Sequence, residues 1–192
     1  MVGHYQTGLN ELAGKVLISH PLQDRDSIFH KSVVYLYQHN PAGSIGLLLN
    51  KPSTITLHDL CKEKNYQLLV QPHPVHTGGP VSNNSLIMLH SDEWRSENTA
   101  KAYNNLLISS DNLMVKRIAL GDAPTRWRIF GGLCGWAPGQ LQAELNGIPP
   151  FSKKHRWMLA DPTPELIFDS VGEHQWNKAI ELSSLQLFNQ YF

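Results

Sequence analysis

Ser32-Val33-Val34-Tyr35-Leu36-Tyr37-Gln38-His39-Asn40-Pro41-Ala42-Gly43-Ser44-Ile45-Gly46-Leu47-Leu48-Leu49 is the stretch from which the fold is best read. Its first half, 32–39, is rich in β-branched and aromatic strand formers. Asn40-Pro41-Ala42-Gly43 then supplies turn chemistry, with proline fixing φ and glycine tolerating positive φ. Residues 45–49 resume as an apolar run, so the pattern predicts a β-hairpin. The apolar residues run continuously instead of alternating, which predicts burial on both faces of these strands.

Outward from the hairpin, short apolar runs and turn residues alternate throughout. Residues 15–20, 86–90, 106–109, 127–133 and 156–160 read as strands. A helix is predicted over 56–64, with Thr56 as cap and Asp59 completing a capping box. A second follows Ser110, taken as its cap, and stops at Gly121. A third covers 138–146, with Pro138 in its first turn and Gly147 at its end. Thr163-Pro164-Glu165 opens a fourth. Residues 173–182 form a fifth, with Trp176, Ala179 and Ile180 on one face. Strands and helices interleave without a βαβ rhythm, so the expected class is α+β (mixed α/β), neither Rossmann nor TIM barrel.

The 192 residues suit a single domain, 1–192, large enough for a core without disulfides. Sixteen basic residues balance sixteen acidic ones, and only 17% of residues are charged. That excludes a disordered chain or a surface built wholly for nucleic acid. The longest apolar run, 33–37, is far short of a membrane span, so no membrane partner is expected. Residues 1–15, which include His4, Gln6, Asn10 and Glu11, lack the apolar stretch of a secretory signal, and a cytoplasmic location is expected. Cys61 and Cys134 form no Cys-x-x-Cys motif and read as reduced, packed thiols. The sharper alternative is a redox role for Cys61, whose neighbours Lys62 and Lys64 favour a thiolate if all three are exposed.

The chemistry-bearing patterns are sparse. His73 and His76 are the only histidines within four residues of each other, and prolines disfavour a helical ligand pair there, so no metal is expected. Ala42-Gly43-Ser44-Ile45-Gly46 lacks the first glycine of a nucleophile elbow and leads into a strand. Two glycine-rich segments are predicted as turns: 76–80, with Gly78 and Gly79, and 131–140, between a strand and a helix. Neither is a P-loop or a dinucleotide fingerprint. They serve either close backbone packing or an anion or small-ligand pocket. Lys153-Lys154-His155-Arg156 beside Trp157, and Arg126 and Arg128 around Trp127, offer phosphate contacts and stacking. The neutral net charge and the lack of a helix-turn-helix pair make direct nucleic-acid binding the weakest class.

Taken as a set, the motifs resemble the AlgH/YqgE family of bacterial proteins. The matching blocks are Gly14-Lys15-Val16-Leu17-Ile18 with Pro21, Ser32-Val33-Val34 through His39-Asn40, and Gly46-Leu47-Leu48-Leu49-Asn50-Lys51-Pro52. They continue with Gly78-Gly79-Pro80-Val81, Leu89-His90-Ser91, and Gly135-Trp136-Ala137-Pro138-Gly139-Gln140-Leu141 with Glu144-Leu145. The resemblance implies one compact domain with a mixed sheet folded into an irregular, barrel-like core and helices outside. It implies a regulatory role, that of a transcriptional regulator, and brings no catalytic residue and no cofactor. Leu133, Cys134 and Gln142 depart from the pattern, which commonly has tyrosine, a small residue and an acidic residue there. A ligand site would draw on Asn50, Gly78, Gly79, His90, Trp136 and Gln140. The expectation is a non-enzymatic regulatory or interaction protein with a protein or small-molecule partner. The alternative is a small-molecule binder or enzyme built on the two glycine segments, with His39, His76 or His90 as polar groups.

Overall fold

A computed structural model describes residues 12–150 and 156–191. Residues 1–11, with His4, Gln6, Asn10 and Glu11, and the basic Lys153, Lys154 and His155 lie outside the described residues. The class is α+β: ten strands and five helices interleave among the described residues. They gather into two compact units, Met1–Asn50 with Cys134–Phe192, and Lys51–Leu133.

In the first unit, β1 (Val16–Ser19), β2 (Val33–Asn40) and β3 (Gly43–Leu48) are antiparallel neighbours. The predicted hairpin is β2–β3, and every residue of β1 is buried, as continuous apolar runs require. Tyr37 is an extra residue in β2: Leu36 faces Gly46 while Gln38 faces Ile45, a bulge that turns the strand end. The last residues of a later strand, Cys134 to Trp136, pair with β3, and Val16–Ser19 also pairs with Trp157–Ala160. Leu17, Phe29, Val34, Leu36, Leu48, Cys134, Trp136 and Leu141 form this unit's core.

In the second unit, β4 (Pro52–Thr56) leads into α1 (Leu57–Glu63), followed by β5 (Pro74–Thr77), β6 (Val81–Ser91), β7 (Thr99–Lys101) and β8 (Leu106–Ser109). Next come α2 (Asn112–Ala119) and β9 (Trp127–Trp136). β6 pairs with β8 and β9, and β7 with β8, all antiparallel, whereas β5 runs parallel to β9, making the pairing mixed. One face packs on a core that includes Leu57, Val75, Met88, Met114, Ile118 and Ile129. The capping box of α1 forms as predicted between Thr56 and Asp59. The remaining elements are α3 (Gln140–Leu145), β10 (Trp157–Ala160), α4 (Pro164–Phe168) and α5 (Gly172–Tyr191).

Several expectations need correction. The cap of α2 is Asp111, not Ser110: its carboxylate takes the Met114 N–H, while the Ser110 hydroxyl accepts from Asn98. Pro138 precedes α3, because Gly139 at φ 74° caps the helix in the left-handed conformation. The segment 131–136 is not a turn but the second half of β9, so only 137–139 links strand to helix. β4, β5 and β7 were not expected as strands. α5 continues past 182 to Tyr191, and within the added length Gln186 clamps Asp161, accepting from its N–H and donating to its C=O at 2.8 Å each.

Candidate functional site

Six residues were singled out as a ligand site, and they divide between the units. In the first unit, the end of β9 and the start of α3 bring Trp136 and Gln140 onto one buried carboxylate. Glu144 is 3% exposed, and its Oε2 accepts from Trp136 Nε1 at 3.0 Å and Trp157 Nε1 at 2.9 Å. Its Oε1 accepts from Gln140 Nε2 at 2.9 Å, one helical turn away on the same face. The other end of the Gln140 amide accepts from Ala137 N–H at 3.1 Å. Phe29 packs against both indoles, with ring centroids 5.2 Å from Trp157 and 6.4 Å from Trp136. Three charge-assisted bonds satisfy this carboxylate away from water, as burial of a charge demands.

Asn50 is equally committed. Its Oδ1 accepts from Val33 N–H at 2.9 Å, and its Nδ2 donates to the carbonyls of Lys31 and Gly172 at 2.8 and 2.9 Å. One amide thus fastens three separate segments.

The same unit holds a group that sequence spacing does not reveal. His39 Nδ1 lies 2.7 Å from Ser44 Oγ across the β2–β3 hairpin, and His39 Nε2 lies 2.7 Å from the Gln142 amide on α3. A hydroxyl, an imidazole and a third orienting group are the parts of an activated nucleophile. Here the histidine and serine are both buried, and burial holds the imidazole pKa below its ordinary value. The arrangement ties hairpin to helix.

In the second unit, Gly78 and Gly79 pack backbone on backbone. The Gly78 N–H donates to Gly131 C=O at 2.8 Å, and a Cβ on Gly78 would lie 2.1 Å from the Gly132 carbonyl oxygen. A Cβ on Gly132 would in turn lie 2.7 Å from the Gly79 oxygen. Close main-chain crossing therefore occupies the space that a ligand would need at 78–79. His90 is fully buried: Nδ1 donates to Ser91 C=O at 2.8 Å, and Nε2 accepts from Ser109 Oγ at 2.9 Å. Burial pushes its pKa down, so the neutral imidazole is the stable form.

The other candidates fall as follows. His76 lies on β5, buried beside Phe130, and burial with the nearby Arg128 charge lowers its pKa to about 4. His73 instead packs against Trp127. Among the described residues no group of three or more potential ligands can hold a metal. Cys61 is 1% exposed and burial raises its thiol pKa, so the exposure on which a redox role depended is missing. Cys134 is pushed up to about 12 by burial. Arg128 is buried, so it does not join Arg126 on a phosphate-binding face of the second unit.

An open, polar cleft of about 650 Å³ lies wholly within the second unit. Its wall is the irregular first half of β6, where Ser82, Asn84 and Ser85 bulge out between the paired Val81 and Leu86. Opposite stands the start of α2, where Lys64 Nζ donates to Asn112 Oδ1 at 3.0 Å. Hydroxyl and amide side chains were too common in the sequence to mark this place.

Residues 16–187 match the model of a family described as AlgH-like. A UPF0301 protein of Rickettsia felis is 31% identical over 174 residues, covering 90% of this chain and 88% of its own length. The solution structure of the AlgH protein from Pseudomonas aeruginosa is 28% identical, with a TM-score of 0.72, over 92% of this chain and 91% of that one. Protein DIP2367 from Corynebacterium diphtheriae shares the fold at 22% identity and a TM-score of 0.65, over 91% and 89% of the two chains.

Proposed function

The chain belongs to the AlgH-like family, and from that premise we propose that it is a regulatory or interaction protein that works by binding and not by catalysis. One observation carries this reading: Asn50, His90, Trp136 and Gln140, the polar side chains singled out from the shared motifs, spend their hydrogen bonds inside the protein. Asn50 makes three hydrogen bonds, both nitrogens of His90 are engaged, and Trp136, Gln140 and Glu144 close a network on themselves. A catalytic acid, base or nucleophile needs a proton or lone pair within reach of substrate. The motifs build the scaffold, and the open cleft beside β6 is the recognition surface. On this reading any transcriptional role is exerted through what the cleft binds.

The test is a protein NMR titration of the ¹⁵N-labelled chain with a fractionated cell metabolite extract, beside a broad turnover screen of the same sample. Amides of 82–87 and 110–112 are expected to shift with no turnover. Turnover that disappears in His39→Ala or Ser44→Ala replaces this reading with catalysis.

A further inference from the structure

The cleft is lined by one cationic side chain, Lys64, and two acidic ones, Glu97 and Asp111. Lys64, from the end of α1, is held by Asn112, the first residue of α2. Glu97 sits between Ser96 and Asn98, which both donate to the Asp111 carboxylate, at 2.6 and 3.0 Å. Lys64 and the segment carrying Glu97 thus both reach the start of α2, through the consecutive residues Asn112 and Asp111. Asp111 is saturated by Ser96, Asn98 and Met114, which leaves Glu97 as the acidic group open to a ligand. Glu97 is exposed and its carboxylate has no hydrogen-bond partner among the described residues. The same lining offers hydroxyl and amide groups from Ser82, Asn84 and Ser85 and apolar surface from the buried Ile87 and Val115.

We propose that this cleft binds a small zwitterion of amino-acid or short-peptide size, its carboxylate at Lys64 and its ammonium at Glu97. The assignment rests on the reading of the cleft as the recognition surface and adds the class of ligand. A volume of about 650 Å³ lies within the range of small-molecule sites, roughly 300–1,000 Å³. A ligand with only one charge leaves one protein charge to water alone, and an uncharged one gains from neither. Opposite charges on Lys64 and Glu97 also fix the ligand's direction, as complementary potentials do at larger interfaces.

The probes are glycine, diglycine and triglycine with free termini, each compared with its N-acetylated, C-amidated and doubly blocked forms. Binding is read from amide shifts at 64, 82–87, 97 and 110–112, with amides of 127–131 on β9 reporting that the second unit is intact. The best-fitting zwitterion is expected to bind at least tenfold more tightly than either singly charged form. Lys64→Met should abolish the preference for the free carboxylate over the amide, and Glu97→Gln the preference for the free amine over the acetyl form. Equal binding of the doubly blocked form, or preferences untouched by both variants, overturns the ligand class and leaves the cleft as a recognition surface. A metabolite extract that shifts these amides while no glycine probe does has the same meaning. If neither probes nor extract shift them, the ligand class and the cleft reading fall together.

Discussion

Replacing Glu144 by glutamine keeps the volume, removes the charge and exchanges one acceptor oxygen for an NH2 donor. The carboxylate takes three donors: two indole N–H groups on Oε2 and the Gln140 amide on Oε1. In the variant one oxygen still serves both indoles, but an NH2 group now faces the Gln140 NH2. Gln140 has no easy way to turn, because its oxygen is held by Ala137 N–H. Two bonds to the indoles fall from charged to neutral strength, a loss of about 1 kcal/mol each, and one buried donor left unsatisfied costs about 1–3 kcal/mol. Relief of the desolvation of a buried charge returns part of this. The net expectation is a loss of about 2–4 kcal/mol, against a total stability of about 5–15 kcal/mol for a domain. For a chain of this size that lowers Tm by about 4–16 °C. Thermal unfolding followed by circular dichroism measures it, with Glu144→Leu as a companion that strands all three donors and should lose more. If Glu144→Gln melts within a degree of the parent, the three bonds do not hold this region together and the scaffold reading of the motif fails.

Three further outcomes are expected. Burial lowers the pKa values of His39, His76 and His90, so the unfolded chain binds more protons below its histidine pKa of about 6.5. Stability is therefore full above pH 6.5 and falls on acidification toward pH 4, the folded value of His76; a urea midpoint that stays flat over this window contradicts the burial of these rings. Gly78→Ala places a Cβ on the Gly132 carbonyl and should cost at least about 3 kcal/mol or prevent folding, whereas Gly139→Ala has open space and meets only a left-handed backbone penalty of about 1–2 kcal/mol. Comparable melting curves for the two variants would refute the crossing described at 78 and 132. Finally, both thiols should resist iodoacetamide in the native protein and react only in denaturant; rapid native labelling of Cys61 would reopen its redox role.

What the sequence revealed depended on whether a signal was local. The β2–β3 hairpin and the caps of α1 and α4 were legible because turn and cap residues act on their own neighbours. β4, β5 and β7 were not, since Pro52-Ser53-Thr54-Ile55-Thr56, Pro74–Thr77 and Thr99–Lys101 carry no apolar run and are made strands by their partners. The parallel pairing of β5 with β9 joins residues more than fifty positions apart. Of the candidate site, Asn50, His90, Trp136 and Gln140 stood out through their motifs. Their partners Ser109 and Gly172 gave no separate signal, and Glu144, although part of a motif block, was not marked as their acceptor, because a hydrogen bond between side chains leaves no periodicity. The cleft was illegible for the same reason: Lys64, Glu97 and Ser82 meet only after α1, α2 and β6 are in place.

The carboxylate at 144 also constrains how such a chain can drift over generations. Positions 136, 140, 144 and 157 answer to a single acceptor, so no one of them is free to change without leaving a neighbour unmatched. A descendant that loses the acid must alter its indoles as well, and one that loses an indole has less reason to keep the acid. These four sites should therefore vary as a group or hardly at all, a pattern that a collection of relatives would display without any knowledge of what the protein binds.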